Sequence, residues 1–238
     1  MLPAPQAILF DLDGTLLDTA PDMAAALNRV RAEQGLEPMP FEAIRPHVSN
    51  GARGLLGIGL GITPDDTGYE ASRERFLALY AEDLAVHTCL FPGLETLVES
   101  LDQRALPWGV VTNKPGELTR HLLEALDITP AVVVCGDDLR RAKPHPDPLL
   151  FAAGKLRLAP TDIWYIGDHE RDIIAGNAAH MPTIAGRWGY LDGERPIEHW
   201  GATVVIDAPD DIAGLLERTA PAGAIGTPRT TGMTGADA

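Results

Sequence analysis

The rest of the chain is best read outward from Ile8-Leu9-Phe10-Asp11-Leu12-Asp13-Gly14-Thr15-Leu16-Leu17. An apolar run stops abruptly at two carboxylates one residue apart, and a glycine and a hydroxyl residue follow. A short apolar run bounded by a glycine turn has the character of a strand buried on both faces of a parallel sheet. In such sheets functional groups gather where the carboxyl ends of the strands meet the following loops. Asp11 and Asp13 are therefore expected side by side at the mouth of a sheet. Two close carboxylates repel, and one tends to stay protonated unless something compensates. A cation or a proton-transfer role would supply that compensation. The alternative is a capping cluster for a helix starting near Thr19, because Asp and Thr are ordinary N-cap residues.

A chain of 238 residues has room for one large domain or two modest ones. Its hydrophobic fraction of 45% suits a globular protein with a substantial core. The net charge of −15 argues against nucleic acid or an anionic membrane as partners. It also requires that any anionic substrate meet locally placed cations. Cys89 and Cys135 are far apart and form no metal-spacing motif, which fits a reducing compartment. No basic region followed by a long apolar one opens the sequence, and Asp11 interrupts the apolar residues after Leu2. The expectation is a soluble cytoplasmic protein, monomeric or homodimeric.

Thr19 to Gln34 reads as a helix with a cap, an early proline and an apolar stripe of Met23, Leu27 and Val30. Phe41 to Val48 and Ala52 to Leu60 read as short helices around the turn-rich joint Ser49-Asn50-Gly51-Ala52-Arg53-Gly54. A longer helix follows Thr63-Pro64-Asp65-Asp66 and runs to about Leu84, with Phe76, Leu79 and Tyr80 on its apolar side. No buried strand is expected between Leu17 and Ala85. From Phe91 onward apolar runs and helical patterns alternate, with strands at 108–111, 131–135, 163–166, 183–185 and 203–206. Such alternation implies an α/β fold with a parallel sheet and right-handed crossovers. The expected division is a core of residues 1–17 and 86–218, an all-helical cap of 18–85, and a disordered tail of 219–238 that is nearly devoid of large apolar residues.

Three later sites accompany the opening one. Thr112 and Asn113 close the second long strand, where a hydroxyl and an amide could donate to an anion or cap the helix before Glu117. In Lys143-Pro144-His145-Pro146-Asp147-Pro148, prolines hold a lysine outside a strand–helix joint, where its ammonium could neutralise a phosphate. Gly167-Asp168-His169-Glu170-Arg171-Asp172 sets two carboxylates four residues apart, on one side of a starting helix. Few carboxylates, completed by water and phosphate, suit Mg²⁺.

Taken in order, Asp11-Leu12-Asp13-Gly14-Thr15, Thr112-Asn113, Lys143-Pro144 and Gly167-Asp168 with Asp172 resemble the four motifs of the haloacid dehalogenase superfamily. The resemblance spans about Ala7 to Leu216 and implies a Rossmann-like three-layer core with an inserted helical cap. It makes Asp11 a nucleophile that forms an aspartyl-phosphate and Asp13 the group that protonates the leaving alkoxide and then activates water. It places Gly14, Thr112, Asn113 and Lys143 around the phosphoryl group. Mg²⁺ would be held by Asp11, the backbone carbonyl of Asp13, and Asp168, with Asp172 orienting them. The dehalogenases of this superfamily lack a carboxylate at the position of Asp13, since a halide leaves without a proton. Phosphatase chemistry is therefore favoured. A sugar-phosphate mutase, with the same two aspartates, and a catalytically silent phosphometabolite-binding protein are the alternatives.

Asn50 to Arg53 and Gly186-Arg187-Trp188-Gly189-Tyr190 resemble the phosphoglycolate phosphatase branch. Ala85-Val86-His87, Gly109 to Pro115, Gly167 to Ile173 and His199-Trp200-Gly201-Ala202 add a closer resemblance to bacterial N-acetylmuramic acid 6-phosphate phosphatases. Both substrates carry a carboxylate, and Arg53 is the candidate for reading it, against a plain surface arginine. The glycine run from Gly51 to Gly61 is no dinucleotide fingerprint, because no strand precedes it. His169 is left out of catalysis, His87 is read as packing near the second cap hinge, and Trp188 and Tyr190 either border the site or pack.

Overall fold

A computed structural model describes residues 2–191, 193 and 195–219. The opening apolar run forms Ala7–Phe10 (β1), buried at every residue. Leu17–Asp18 (β2) leads into four helices, Ala20–Glu33 (α1), Phe41–Ile44 (α2), Gly51–Leu60 (α3) and Tyr69–Glu82 (α4), with a 3-10 turn over Arg45–Asn50. Cys89–Leu90 (β3) returns the chain to Leu94–Gln103 (α5), Trp108–Val111 (β4), Gly116–Ala125 (α6) and Val132–Val134 (β5). Asp147–Leu156 (α7), Ile163–Gly167 (β6), Glu170–Ala178 (α8), Thr183–Gly186 (β7), Val204–Ile206 (β8) and Asp210–Thr219 (α9) complete it. Thr219, where the tail was expected to start, ends α9, and the disorder expected beyond it lies outside the described residues. Among the described residues no helix is long and apolar enough to cross a membrane.

Six strands form one parallel sheet in the order β5-β4-β1-β6-β7-β8, as the alternation implied. Its central strands carry apolar residues throughout because both faces are covered. Ile8 and Phe10 point into the cluster that contains Leu94, Leu97 and Leu101 of α5, Leu122 of α6 and Ile212 of α9. Ala7 and Leu9 point to the other side, with Leu149 and Ala152 of α7 and Ala175 of α8. The period of two along β1 thus builds two helical layers on one sheet. Register decides the site: Phe10 pairs with Val110 on one side and Ile166 on the other. The loops after β1, β4 and β6 consequently leave the sheet together.

The insert between β2 and β3 is all-helical, but its two linkers pair as a small antiparallel ladder, Leu17 with Leu90 and Asp18 with Cys89. No buried strand was expected from Leu17, and two residues are too few to show a period of two. The stripe of α1 is buried as read, with Met23, Leu27 and Val30 packed against the insert's other helices. Thr19 precedes α1, but its side chain makes no capping bond. Asp22 in the first turn is buried and ties down the return linker. Its carboxylate accepts from the backbone N–H of His87 at 3.0 Å, and from the N–H and hydroxyl of Thr88 at 2.9 and 2.7 Å. His87 thus meets the hinge through its backbone.

Removing the Asp22 carboxylate would leave two N–H groups without an acceptor, each costing about 1–3 kcal/mol where burial excludes water. Asp22→Ala should therefore lower the unfolding free energy in urea by about 2–4 kcal/mol, and Asp22→Asn should recover part of the loss. Equal stability of wild type and Asp22→Ala would mean that the linker is held elsewhere.

Candidate active site

Four loops converge at the carboxyl ends of β1, β4, β5 and β6. Asp11 continues the ladder beyond β1, its N–H donating to the Ile166 carbonyl at 2.8 Å. Its carboxylate is buried, and Oδ1 accepts from the Leu12 N–H at 2.7 Å and lies 2.8 Å from Lys143 Nζ. The Lys143 ammonium also sits 2.8 Å from Asp172 Oδ1, from the Val111 carbonyl and from the Tyr165 hydroxyl. The sequence placed this lysine outside the joint. Its side chain is instead buried, tucked beneath Asp11 and bonded to carboxylates. A buried ammonium without anionic partners would be costly, and the adjacent carboxylates supply them.

Asn113 holds that lysine from behind. Its Nδ2 donates to the Lys143 carbonyl at 2.8 Å, and its Oδ1 accepts from the Lys143 N–H at 3.0 Å. The side-chain amide that was read as a phosphate donor thus clamps the lysine's backbone. Thr112 is buried, lines the cavity described below, and accepts from the Lys114 N–H at 3.1 Å. Neither residue caps α6, whose N-cap position is Pro115.

Asp168 follows β6 and is fully enclosed. Thr15 Oγ1 donates to its Oδ1 at 3.0 Å, and Ser49 Oγ and the Tyr190 N–H donate to its Oδ2 at 2.9 and 2.8 Å. Gly14 has φ +85°, and a Cβ there would come within 2.2 Å of Asp168 Oδ2. Glycine at this position lets the β1 loop lie against the carboxylate, so its role here is steric. Asp172 begins α8 in a reciprocal capping box with His169, which accepts from the Arg171 N–H. The expectation that His169 is structural fits this geometry. His169 Nε2 also lies 3.1 Å from Asn50 Oδ1, across to the insert.

Asp11, Asp168 and Asp172 can each present an oxygen within 4.8 Å of the others. Lys143 faces two of these three carboxylates. Burial first, and then the Asp172 charge, push Asp11 up to about 7 despite Lys143. Burial, again with Asp172, pushes Asp168 up to about 6. Asp172 is held below the ordinary carboxylate range, because Lys143 and Arg171 overcome its burial. Three buried carboxylates thus share one ammonium, which lies against Asp11 and Asp172. A hard divalent cation with oxygen ligands, Mg²⁺ among them, fits this donor set.

Asp13 lies beside this cluster and points to the insert. Its Oδ1 accepts from Thr19 Oγ1 at 2.7 Å and from Lys114 Nζ at 2.9 Å. Thr19 therefore directs to Asp13 the hydroxyl that the sequence assigned to helix capping. Lys114 is a second buried ammonium, and the Tyr80 hydroxyl of α4 lies 3.0 Å from it. Burial opposes its charge, but Asp13 and Tyr80 hold it above the ordinary lysine value. Burial pushes the Tyr80 hydroxyl up to about 12. Neither Lys114 nor Tyr80 was singled out as a site residue. Lys114 stood in the motif beside Asn113, but no local pattern pairs it with a tyrosine that lies on an apolar stripe.

A cavity of about 250 Å³ opens on Asp11 and Asp13 between the sheet end and the insert. Thr112, Lys114, Arg53, Arg73 and Arg171 give it polar and cationic lining, and Met23, Val48, Tyr69, Phe76, Leu77 and Leu118 an apolar wall. Arg53 lies in the first turn of α3, within the helix read over Ala52 to Leu60, at the end of the turn-rich joint. Tyr190 and Trp188 border the linkers: the Tyr190 hydroxyl donates to Asp18 Oδ1 at 2.6 Å, and Trp188 Nε1 donates to the Thr15 carbonyl at 3.0 Å.

Comparison with known proteins agrees with this arrangement. Residues 8–186 match the family described as haloacid dehalogenase-like hydrolase. An N-acetylmuramic acid 6-phosphate phosphatase of Pseudomonas putida is 39% identical over 214 residues, covering 89% of this chain and 96% of its own. A phosphoglycolate phosphatase of Xanthomonas campestris pv. campestris is 42% identical over 210 residues, covering 87% and 95%. A crystal structure described as a predicted phosphoglycolate phosphatase from Haemophilus somnus superposes with a TM-score of 0.79 at 25% identity, covering 90% of this chain and 99% of that one. With its parallel sheet, its four converging loops and a family match over most of its length, the chain belongs to the haloacid dehalogenase-like hydrolases.

Proposed function

We propose that this phosphatase cleaves a small carboxylate-bearing phosphate ester through an aspartyl-phosphate, and that N-acetylmuramic acid 6-phosphate is the ester. The cavity carries this reading. It joins Asp11 and Asp13 at one end to a cationic and apolar lining from the insert. In a chain with a net charge of −15, arginines at Arg53 and Arg73 and an ammonium at Lys114 around one cavity favour an anionic ligand with more than its phosphate to recognise. The apolar wall suits a ligand that also presents methyl groups, as an N-acetylated lactyl sugar does. The Pseudomonas relative supports the same choice by name. The second reading, 2-phosphoglycolate, has the support of the Xanthomonas relative and the shared carboxylate.

The chemistry follows from the placement of the two aspartates. Asp11 attacks phosphorus, the bond to the ester oxygen breaks, and the leaving oxygen takes a proton from Asp13. Asp13 then accepts a proton from water, whose oxygen attacks phosphorus and frees the Asp11 carboxylate and inorganic phosphate. Described contacts to the Asp11 side chain fall on Oδ1, which leaves Oδ2 for attack. Thr112 would bind phosphoryl oxygens, and Lys143 would hold Asp11 and damp its charge. Asp11, Asp168 and the backbone carbonyl of Asp13 would hold Mg²⁺, with Asp172 and Lys143 keeping them in place. When bound, the ion supplies the positive charge that lets an anionic nucleophile approach an anionic phosphate. Residues 18–85 would act as a cap, closing to exclude water and opening to release product.

Asp11→Asn should lower phosphate release by roughly a thousandfold or more while the thermal melt stays cooperative. Appreciable turnover by that variant would remove the covalent route. Arg53→Ala should raise KM for the carboxylate-bearing ester by roughly ten- to a hundredfold, and far less for p-nitrophenyl phosphate. An equal effect on both would take Arg53 out of substrate recognition. Side-by-side kinetics should give a higher kcat/KM for N-acetylmuramic acid 6-phosphate than for 2-phosphoglycolate, and the reverse order would favour the second reading.

A further inference from the structure

Lys114 takes no part in the bond-making steps above, yet it is buried and lines the same cavity as both aspartates. Its backbone is fixed, since its N–H donates to Thr112 Oγ1 at 3.1 Å, two residues away. Its ammonium lies between a core carboxylate and a phenol of the insert, 2.9 Å from Asp13 Oδ1 and 3.0 Å from Tyr80 Oη. It also sits 4.5 Å from the centre of the Tyr80 ring, within range of a cation–π contact. Tyr80 is fully buried and stacks on Phe76 with ring centres 6.3 Å apart, so its hydroxyl has one place to be.

We infer that Lys114 is a positioning residue for Asp13, and that Tyr80 makes this positioning depend on the insert being seated over the core. A carboxylate can rotate about its last bond unless one oxygen is held. Here the described hydrogen bonds to Asp13, from Lys114 and Thr19, both fall on Oδ1. Oδ2 is thereby aimed, ready to take a proton. Orientation matters most in the second half of the reaction, where Oδ2 must reach the attacking water. In that half Asp13 takes a proton from water, the water oxygen bonds to phosphorus, and the bond from phosphorus to Asp11 breaks with its electron pair returning to the carboxylate. Tyr80 comes from α4, so withdrawing the insert removes one of the ammonium's two anchors. Hydrolysis of the intermediate is thus tied to the closed arrangement, in which bulk water is excluded and one water is activated.

This inference rests on the covalent route proposed above, and p-nitrophenyl phosphate separates the two. Its leaving group departs without a proton, so the first half needs no help from Asp13. In Lys114→Met and Tyr80→Phe, stopped-flow mixing of the Mg²⁺-loaded full chain with this ester should show a burst of p-nitrophenolate approaching one per site. A steady state at least about tenfold slower than wild type should follow, within the share that one general base contributes. Slower turnover with no burst, or unchanged turnover, would overturn the inference, because loss of structure slows both halves alike. Should Lys114→Met fail to fold, Tyr80→Phe, which keeps the ring and its packing, decides alone. Asp13→Ala is the control for the parent reading. A burst there with none in the other two variants would reject Lys114 and Tyr80 only. No burst in Asp13→Ala would reject the role given to Asp13 itself.

Discussion

Three carboxylates, Asp11, Asp168 and Asp172, are forced together out of water, and one buried ammonium, Lys143, stands against two of them. The rest of the site follows from that crowding. Adjacent central strands bring Asp11 and Asp168 to the same edge of the sheet, so their repulsion is built into the topology. Asn113 grips the backbone of Lys143 on both sides, because an ammonium at the wrong height would leave Asp11 uncompensated. Thr15, Ser49 and the Tyr190 N–H gather on Asp168 for the same reason. Such a cluster works against folding. Its member Asp11 opens on the cavity beside Asp13, and carboxylates perturbed in this way gather at functional sites.

The insert meets the core through two kinds of contact. At its base, the β2–β3 pairing and the three bonds to Asp22 form a short braced hinge. At its rim, the contacts are polar and reach the loops of the site. Ser49 donates to Asp168, Arg171 donates to the Ser49 carbonyl, and Arg45 donates to the carbonyls of Trp188 and Gly189 at 3.2 Å. Tyr80 meets Lys114 in the same way. Hydrogen bonds of this kind can be exchanged for bonds to water at small net cost. A braced base and an exchangeable rim are what a closing element needs. The rim bonds end on Asp168 and on Lys114, the partner of Asp13, which is the basis of the proposed link between the chemistry and the seating of the insert.

Much of this was legible along the chain. The uniformly apolar β1, β4 and β6 announced a sheet covered on both faces, and the residues that end them announced the site. The α1 stripe of Met23, Leu27 and Val30 was plain from its period, and all three are buried. Polar residues that serve a distant partner were harder to read. Thr19 had the local look of a helix cap, and Asn113 that of a phosphate donor; one bonds Asp13 and the other brackets Lys143. Lys143 was read as held outside a strand–helix joint because prolines follow it in sequence, whereas its environment is made by Asp11 after β1, by Val111 of β4 and by Asp172 of α8.

The parallel α/β core, the helical insert and the four motifs at the strand ends can all be read along the chain. Periodicity, turn residues and strand-end carboxylates are local signals, and each is read within about a dozen residues. Which cation serves which carboxylate is set by the packing of distant segments. Lys143 answers Asp11 and Asp172, while Lys114 answers Asp13 and is shared with Tyr80. Those pairings join residues 29 to 132 positions apart in the chain. An ammonium and a carboxylate carry no sequence mark of their partner, and what selects it is the order of the strands and the angle at which the insert returns.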